Sequence, residues 1–207
     1  MFNPAPGNVA PRLEHALEDR SLRCICLFPA MHGYRLDDEH VKAVFATAAS
    51  HGAAVFAHCG VLTVGVRKKL GLPSPFDLRL GDPLALGAVA SRFPDVPVVI
   101  PHFGAGMLRE ALMAAEQCGN IHLDTSSSNS WMKYHSGLTL DDVFRQALSI
   151  VGPSRILFGT DSSFFPRGWQ QPIYDAQTAA LETIGVGADD RGKILGENFD
   201  RLFPIQG

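Results

Sequence analysis

Three apolar runs in this chain each end on a side chain able to bind a metal or carry a proton. That recurrence narrows the possible folds more than anything else in the sequence. Ala54 to Cys59 carries His58 near its end, Val96 to Pro101 leads into His102, and Arg155 to Ser163, RILFGTDSS, closes on Asp161. Short continuous apolar runs are the pattern of parallel strands covered on both faces, and Gly159 lets the backbone approach its neighbours closely. Two further runs, Arg23 to Phe28 and Asn120 to Thr125, read the same way. Between them the apolar spacing turns helical, over Val9 to Arg20, Asp38 to His51, Leu84 to Phe93, Met107 to Cys118 and up to Val151. Helices are also expected from Pro172 to Ile184 and Asp189 to Gly196, with a short closing one at Asn198 to Leu202.

Local signals set the boundaries. Asp37 reads as an N-cap, Gly52 as a helix-ending glycine, and Thr139 with Asp142 as a capping box. Gly60 to Asp82 has no clear period and reads as a long irregular loop of the functional or mobile kind. Strand and helix alternate with short connections, so the chain is expected to be one α/β domain with a parallel sheet and helices packed outside it. Right-handed crossovers then bring every strand tip to one face, where a (β/α)8 barrel places its catalytic groups. A flavodoxin-like open sheet would do the same.

The chemistry follows from that convergence. Imidazole nitrogen and carboxylate oxygen are the hydrolytic zinc ligands, so His58, His102 and Asp161 are candidate metal ligands, and His102 and Asp161 the candidate catalytic pair. His102 suits proton transfer. His32, Tyr34, Trp131, Arg167 and Trp169 lie in outgoing loops and are candidate substrate contacts. Trp131, Phe164, Phe165 and Trp169 together suggest an aromatic wall. Arg167 is the cation expected to face a carboxylate. Ser126 and Ser162 sit in no G-x-S-x-G elbow, which ranks a serine hydrolase last. The GAG at Gly104 to Gly106 reads as a tight helix start rather than a phosphate loop.

Composition excludes other classes. The chain is 46% hydrophobic and 19% charged, with a formal net charge of -3 and scattered basic residues, so neither nucleic acid nor an anionic membrane is an expected partner. Four cysteines without framework spacing, and no signal peptide or apolar span, point to a reduced cytoplasmic protein acting on a small molecule.

Taken in order, CICLFPAMHGYRLDD, AVFAHCG, VVIPHFGAG, NIHLDTSS, ILFGTDSS and ILGENFDRLF resemble the amidohydrolase-related (amidohydrolase 2) family. That family includes aminocarboxymuconate semialdehyde decarboxylase-like and resorcylate decarboxylase-like enzymes. The resemblance implies a (β/α)8 barrel and a single divalent metal, zinc or manganese. His58 matches the fifth-strand metal ligand, His102 the sixth-strand histidine acting on metal-bound water, and Asp161 the eighth-strand aspartate. Cys26 stands where binuclear relatives carry a bridging lysine. No His-x-His pair is present, and RCICLF corresponds to the fourth strand, with a remnant of the third at Met1 to Asn3. The expectation is therefore a barrel lacking its first two strands, whose unpaired edges favour a homodimer. The implied activity is metal-dependent hydrolysis, with non-oxidative decarboxylation or a scaffold without a metal site as the alternatives.

Overall fold

A computed structural model describes residues 1–19, 22–162 and 168–204. Among the described residues five parallel strands form one sheet in strictly sequential order: β1 (Cys24–Leu27), β2 (Ala54–Ala57), β3 (Val98–Ile100), β4 (Ile121–Asp124) and β5 (Ile156–Leu157). The register is continuous, with Cys26 opposite Phe56, Phe56 opposite Val99, Val99 opposite His122, and Asp124 opposite Leu157.

Among the described residues ten helices accompany the strands. They are α1 (Val9–Asp19), α2 (Pro29–His32), α3 (Glu39–His51), α4 (Gly65–Lys69), α5 (Pro83–Ala90), α6 (Leu108–Gln117), α7 (Leu140–Val151), α8 (Gln171–Thr183), α9 (Ala188–Gly192) and α10 (Asn198–Leu202), with a wider turn over Lys193–Glu197 joining the last two. Their boundaries follow the local chemistry. Thr139 and Asp142 form the reciprocal capping box that opens α7. Gly52 closes α3 in a left-handed conformation. The residue preceding α3 is Asp38 rather than Asp37; the Asp38 carboxylate accepts from the Arg35 N–H at 3.0 Å instead of capping the helix, and Asp37 pairs with the Arg35 guanidinium at 2.8 Å. The loop expected from Gly60 to Asp82 contains α4 and a tight turn at Leu78–Gly81, elements too short to leave a period in the sequence.

Alternation along each strand divides the sheet into two faces. Ile25, Leu27, Val55, Ala57, Val98, Ile100, Ile121, Leu123 and Ile156 belong to one apolar cluster with Leu13, Val44, Phe45, Leu86, Ala111 and Phe144 of the helices. Ala54, Val99 and Leu157 on the other face lie outside that cluster. The helix-borne core thus sits against one side of a sequentially ordered parallel sheet. This is the wall of a (β/α) barrel and not the doubly wound arrangement, which covers both faces.

Among the described residues both edges of the sheet meet other backbone. The Phe2 N–H donates to the Cys26 carbonyl at 2.8 Å beside β1, the single bridge found in the Met1 to Asn3 segment. Beyond β5, the Phe158 N–H donates to the Ile194 carbonyl at 3.0 Å. Two side-chain amides fasten the layers: half-buried Asn120 donates through Nδ2 to the carbonyls of Ala90, Phe93 and Val96, and buried Asn198 through Nδ2 to those of Pro153 and Ile156. Among the described residues no helix is long and apolar enough to cross a membrane.

Candidate active site

The C-terminal ends of the strands surround a cavity of about 790 Å³. Phe28 reaches it from the end of β1, His58 from β2, His102 from β3, Asp124 and Ser126 from β4, and Gly159 to Ser162 from β5. Val61 to Gly65 of the long loop, and Ser130, Trp131, Lys133 and Tyr134 of the β4 exit loop, complete the wall.

His58 is buried between two rings. It stacks on Phe28 with centroids 5.4 Å apart and meets the edge of His102 at 5.3 Å. Burial, reinforced by the neighbouring His102, pushes its pKa down to about 3, so it is a neutral imidazole at physiological pH.

His102 is held from the opposite side. Its Nδ1 lies 2.9 Å from the Ser126 carbonyl oxygen and 2.9 Å from Ser126 Oγ. A carbonyl can only accept, so Nδ1 carries the proton and the Nε2 of the neutral ring keeps a bare lone pair. Behind this contact lies Asp124. It accepts from the Ser126 N–H at 3.0 Å, from the Ser126 hydroxyl, and from the His102 N–H at 3.4 Å. Burial raises the Asp124 pKa, and the three donors oppose that rise. A Cβ on Gly159 would come 2.8 Å from both Asp124 Oδ2 and Ser126 Cβ, so only glycine lets β5 close over the carboxylate.

The backbone around His102 is strained. His102, Phe103 and Ala105 have φ of 56°, 51° and 45°, and Gly104 and Gly106 are positive as well. Non-glycine residues in this region cost about 1–2 kcal/mol each. The turn is clamped by the buried Phe103 ring packed edge-on against Phe144, by the Val61 N–H on the Ala105 carbonyl at 2.8 Å, and by His135 Nε2 on the Gly106 carbonyl at 3.0 Å. Gly104 to Gly106 is thus neither a phosphate loop nor a simple helix start but part of the left-handed turn that aims His102.

The remaining residues expected from sequence separate. Asp161 lines the cavity but is exposed, with a left-handed φ of 54°. Trp131 is buried in the wall and donates to Asn129 Oδ1 at 3.1 Å. His32, Tyr34 and Trp169 are absent from the cavity lining. Tyr34 is buried in the core, and Trp169, mostly exposed, packs on Phe158 and Tyr174. Arg167, Phe164 and Phe165 lie outside the described residues. Lys133 is the cation on the described cavity wall, and no acidic partner for it occurs among the described residues. Sequence reasoning missed Asp124 and Lys133. The carboxylate ends NIHLD as Asp161 ends ILFGTD, which was the signal available for the first.

His58, His102 and Asp161 have the donor chemistry of a zinc or manganese site, but a catalytic centre needs three protein ligands. Among the described residues no group of three or more His, Cys, Asp or Glu side chains is placed to hold an ion. The Ser126 contact at His102 Nδ1 leaves Nε2 as the ring's free ligating atom. Even so, the described residues do not gather into a three-ligand centre.

A family model described as Amidohydrolase matches residues 2–205. No curated protein matches the chain. Among solved structures, an uncharacterized TIM-barrel protein from Bordetella bronchiseptica matches at 21% identity and a TM-score of 0.68, over 98% of this chain and 63% of that one. The 5-carboxyvanillate decarboxylase of Sphingomonas paucimobilis matches at 16% identity and 0.62, over 99% and 65%. A dihydroxybenzoic acid decarboxylase from a Polaromonas species, with bound manganese, matches at 15% and 0.63, over 97% and 66%. The chain spans slightly under two thirds of the length of these structures.

Proposed function

This chain belongs to the amidohydrolase family, and from that premise we propose that the cavity binds a small carboxylate-bearing molecule and hydrolyses it with His102 as the proton-transferring residue. The observation that carries the reading is the fixed tautomer of His102, whose proton sits on Nδ1 against the Ser126 carbonyl. Its Nε2 is then a ready acceptor for a proton from water in the cavity, and the resulting imidazolium can return that proton to a leaving group. Ser126 and Asp124 orient the ring. His58, held neutral by burial, offers a hydrogen bond to an oxygen of the substrate without adding charge.

Lys133 supplies the positive charge that a carboxylate requires, Asp161 a polar contact at the rim, and Trp131 with Phe28 an apolar surface for a ring. No step is assigned to a metal, since the described residues do not form a three-ligand set.

Lys133 also favours a second reading, non-oxidative decarboxylation, in which protonated His102 would give its proton to the carbon that loses CO2. Two of the structural relatives are decarboxylases of aromatic acids. Turnover of a panel of hydroxybenzoates and aryl amides in isotopically labelled water separates the two. In heavy-oxygen water, label in a product carboxylate supports hydrolysis, and in deuterated water, CO2 release with deuterium on the carbon that lost it supports decarboxylation. Activity retained in full by His102→Asn would sink both.

A further inference from the structure

The four cysteines fall into two kinds, all of them free. Cys59 and Cys118 are buried and each donates to a carbonyl, at 3.6 Å to Ala57 and 3.4 Å to Gly87. Cys24 and Cys26 are half-buried and occupy alternate positions of β1, opposite Ala54 and Phe56. They share the sheet face that the helix-borne core does not cover.

We propose that Cys24 and Cys26 form a two-thiolate site for a soft, thiophilic cation of the Cu(I) or Ag(I) class. Strand geometry separates their Cα atoms by about 6.6 Å, the far limit of what a disulfide spans without strain. A metal ion with two bonds of about 2.3 Å bridges sulfurs up to about 4.6 Å apart, which suits same-face neighbours on a strand. Charge state agrees with geometry. The Cys24 thiol pulls Cys26 down to about 7, against the effect of burial, so Cys26 carries much thiolate at neutral pH, while the same contact and burial push Cys24 up.

Because no group of three or more His, Cys, Asp or Glu gathers among the described residues, the protein offers two sulfurs here. Low-coordinate soft cations accept such a set, and hard ions do not. On binding, the Cys24 S–H bond and whatever part of Cys26 is still protonated give way to two metal–sulfur bonds, the protons so released pass to solvent, and no oxidation state changes. The site adjoins the cavity, because Phe56, the partner of Cys26 across the ladder, is one of its lining residues.

The test is an anaerobic titration of the reduced full chain with Ag(I), read by the thiolate-to-metal charge-transfer band and by proton release. One equivalent is expected, lost in Cys24→Ser and in Cys26→Ser, and kept in Cys118→Ser. Circular dichroism shows which variants fold, and Cys24→Ala and Cys26→Ala replace any serine variant that does not. Absence of the band in the folded wild type, or its survival in a folded variant lacking Cys24 or Cys26, overturns the proposal. Loss of the band in Cys118→Ser does the same.

Discussion

The exits of β4 and β5 both present an aspartate to the same cavity, yet they are built on opposite principles. Asp124 is buried, bonded to Ser126 and to the His102 backbone, and closed over by Gly159. Asp161 is exposed, on a left-handed residue, in a loop whose internal bond joins the Thr160 and Ser162 hydroxyls at 2.6 Å. A carboxylate wired into a neighbouring strand can hold another side chain in one orientation. One at the rim can only meet what enters. The difference assigns orientation to β4 and contact to β5.

The largest test of that division is His102→Asn. It removes the ring proposed to transfer the proton while leaving the fold, so turnover is expected to fall about 10²–10⁴-fold with an unchanged unfolding midpoint. Equal activity would break the comparison at once. Gly159→Ala comes next. Its methyl must displace the Asp124 carboxylate or the Ser126 side chain, at a cost of about 1–3 kcal/mol by denaturant unfolding, and activity should drop with it. A neutral result would mean that the two tips are not packed as described.

Acid stability gives a third test. His58 and His122 are ordinarily near 6.5 but sit at about 3 and about 4 in the folded chain, both chiefly through burial. The unfolded chain therefore takes up protons below 6.5 that the folded one refuses, so stability falls as pH drops from 6.5 toward 4. Asp124 has the opposite sign, because its raised pKa favours the folded state at low pH and is lost as pH rises through it. His122→Gln should flatten the acid limb without affecting turnover. An unchanged limb would refute the burial argument. The smallest effect belongs to Asp161→Asn, expected to raise KM by no more than about fivefold with kcat unchanged, the scale of an exposed charge. A kcat loss as large as that of His102→Asn would erase the distinction between the tips.

Much of the fold was legible in the sequence because periodicity reports burial directly. All five strands and the long helices lie where apolar spacing places them, and Gly52 and the Thr139–Asp142 box end or begin helices as their chemistry requires. The site was legible only as far as position along a strand. His58, His102, Asp161 and Trp131 do line one cavity. Tyr34 does not, because an aromatic residue in an outgoing loop reads the same whether it turns toward substrate or into the core. Asp124 was hidden for a related reason. Its importance lies in contacts with residues 22 positions earlier and two later, and no local pattern carries the first.

The left-handed run from His102 to Gly106 sets the order in which the molecule fails. A turn that stores conformational energy is kept in place only by the neighbours that clamp it, Phe144, Val61 and His135. Its release requires no strand to separate, so mild denaturant should disarm the chain while the sheet stands. On the proposed reading the working parts of this protein are its fuse, and a preparation judged intact by secondary structure alone is already inert.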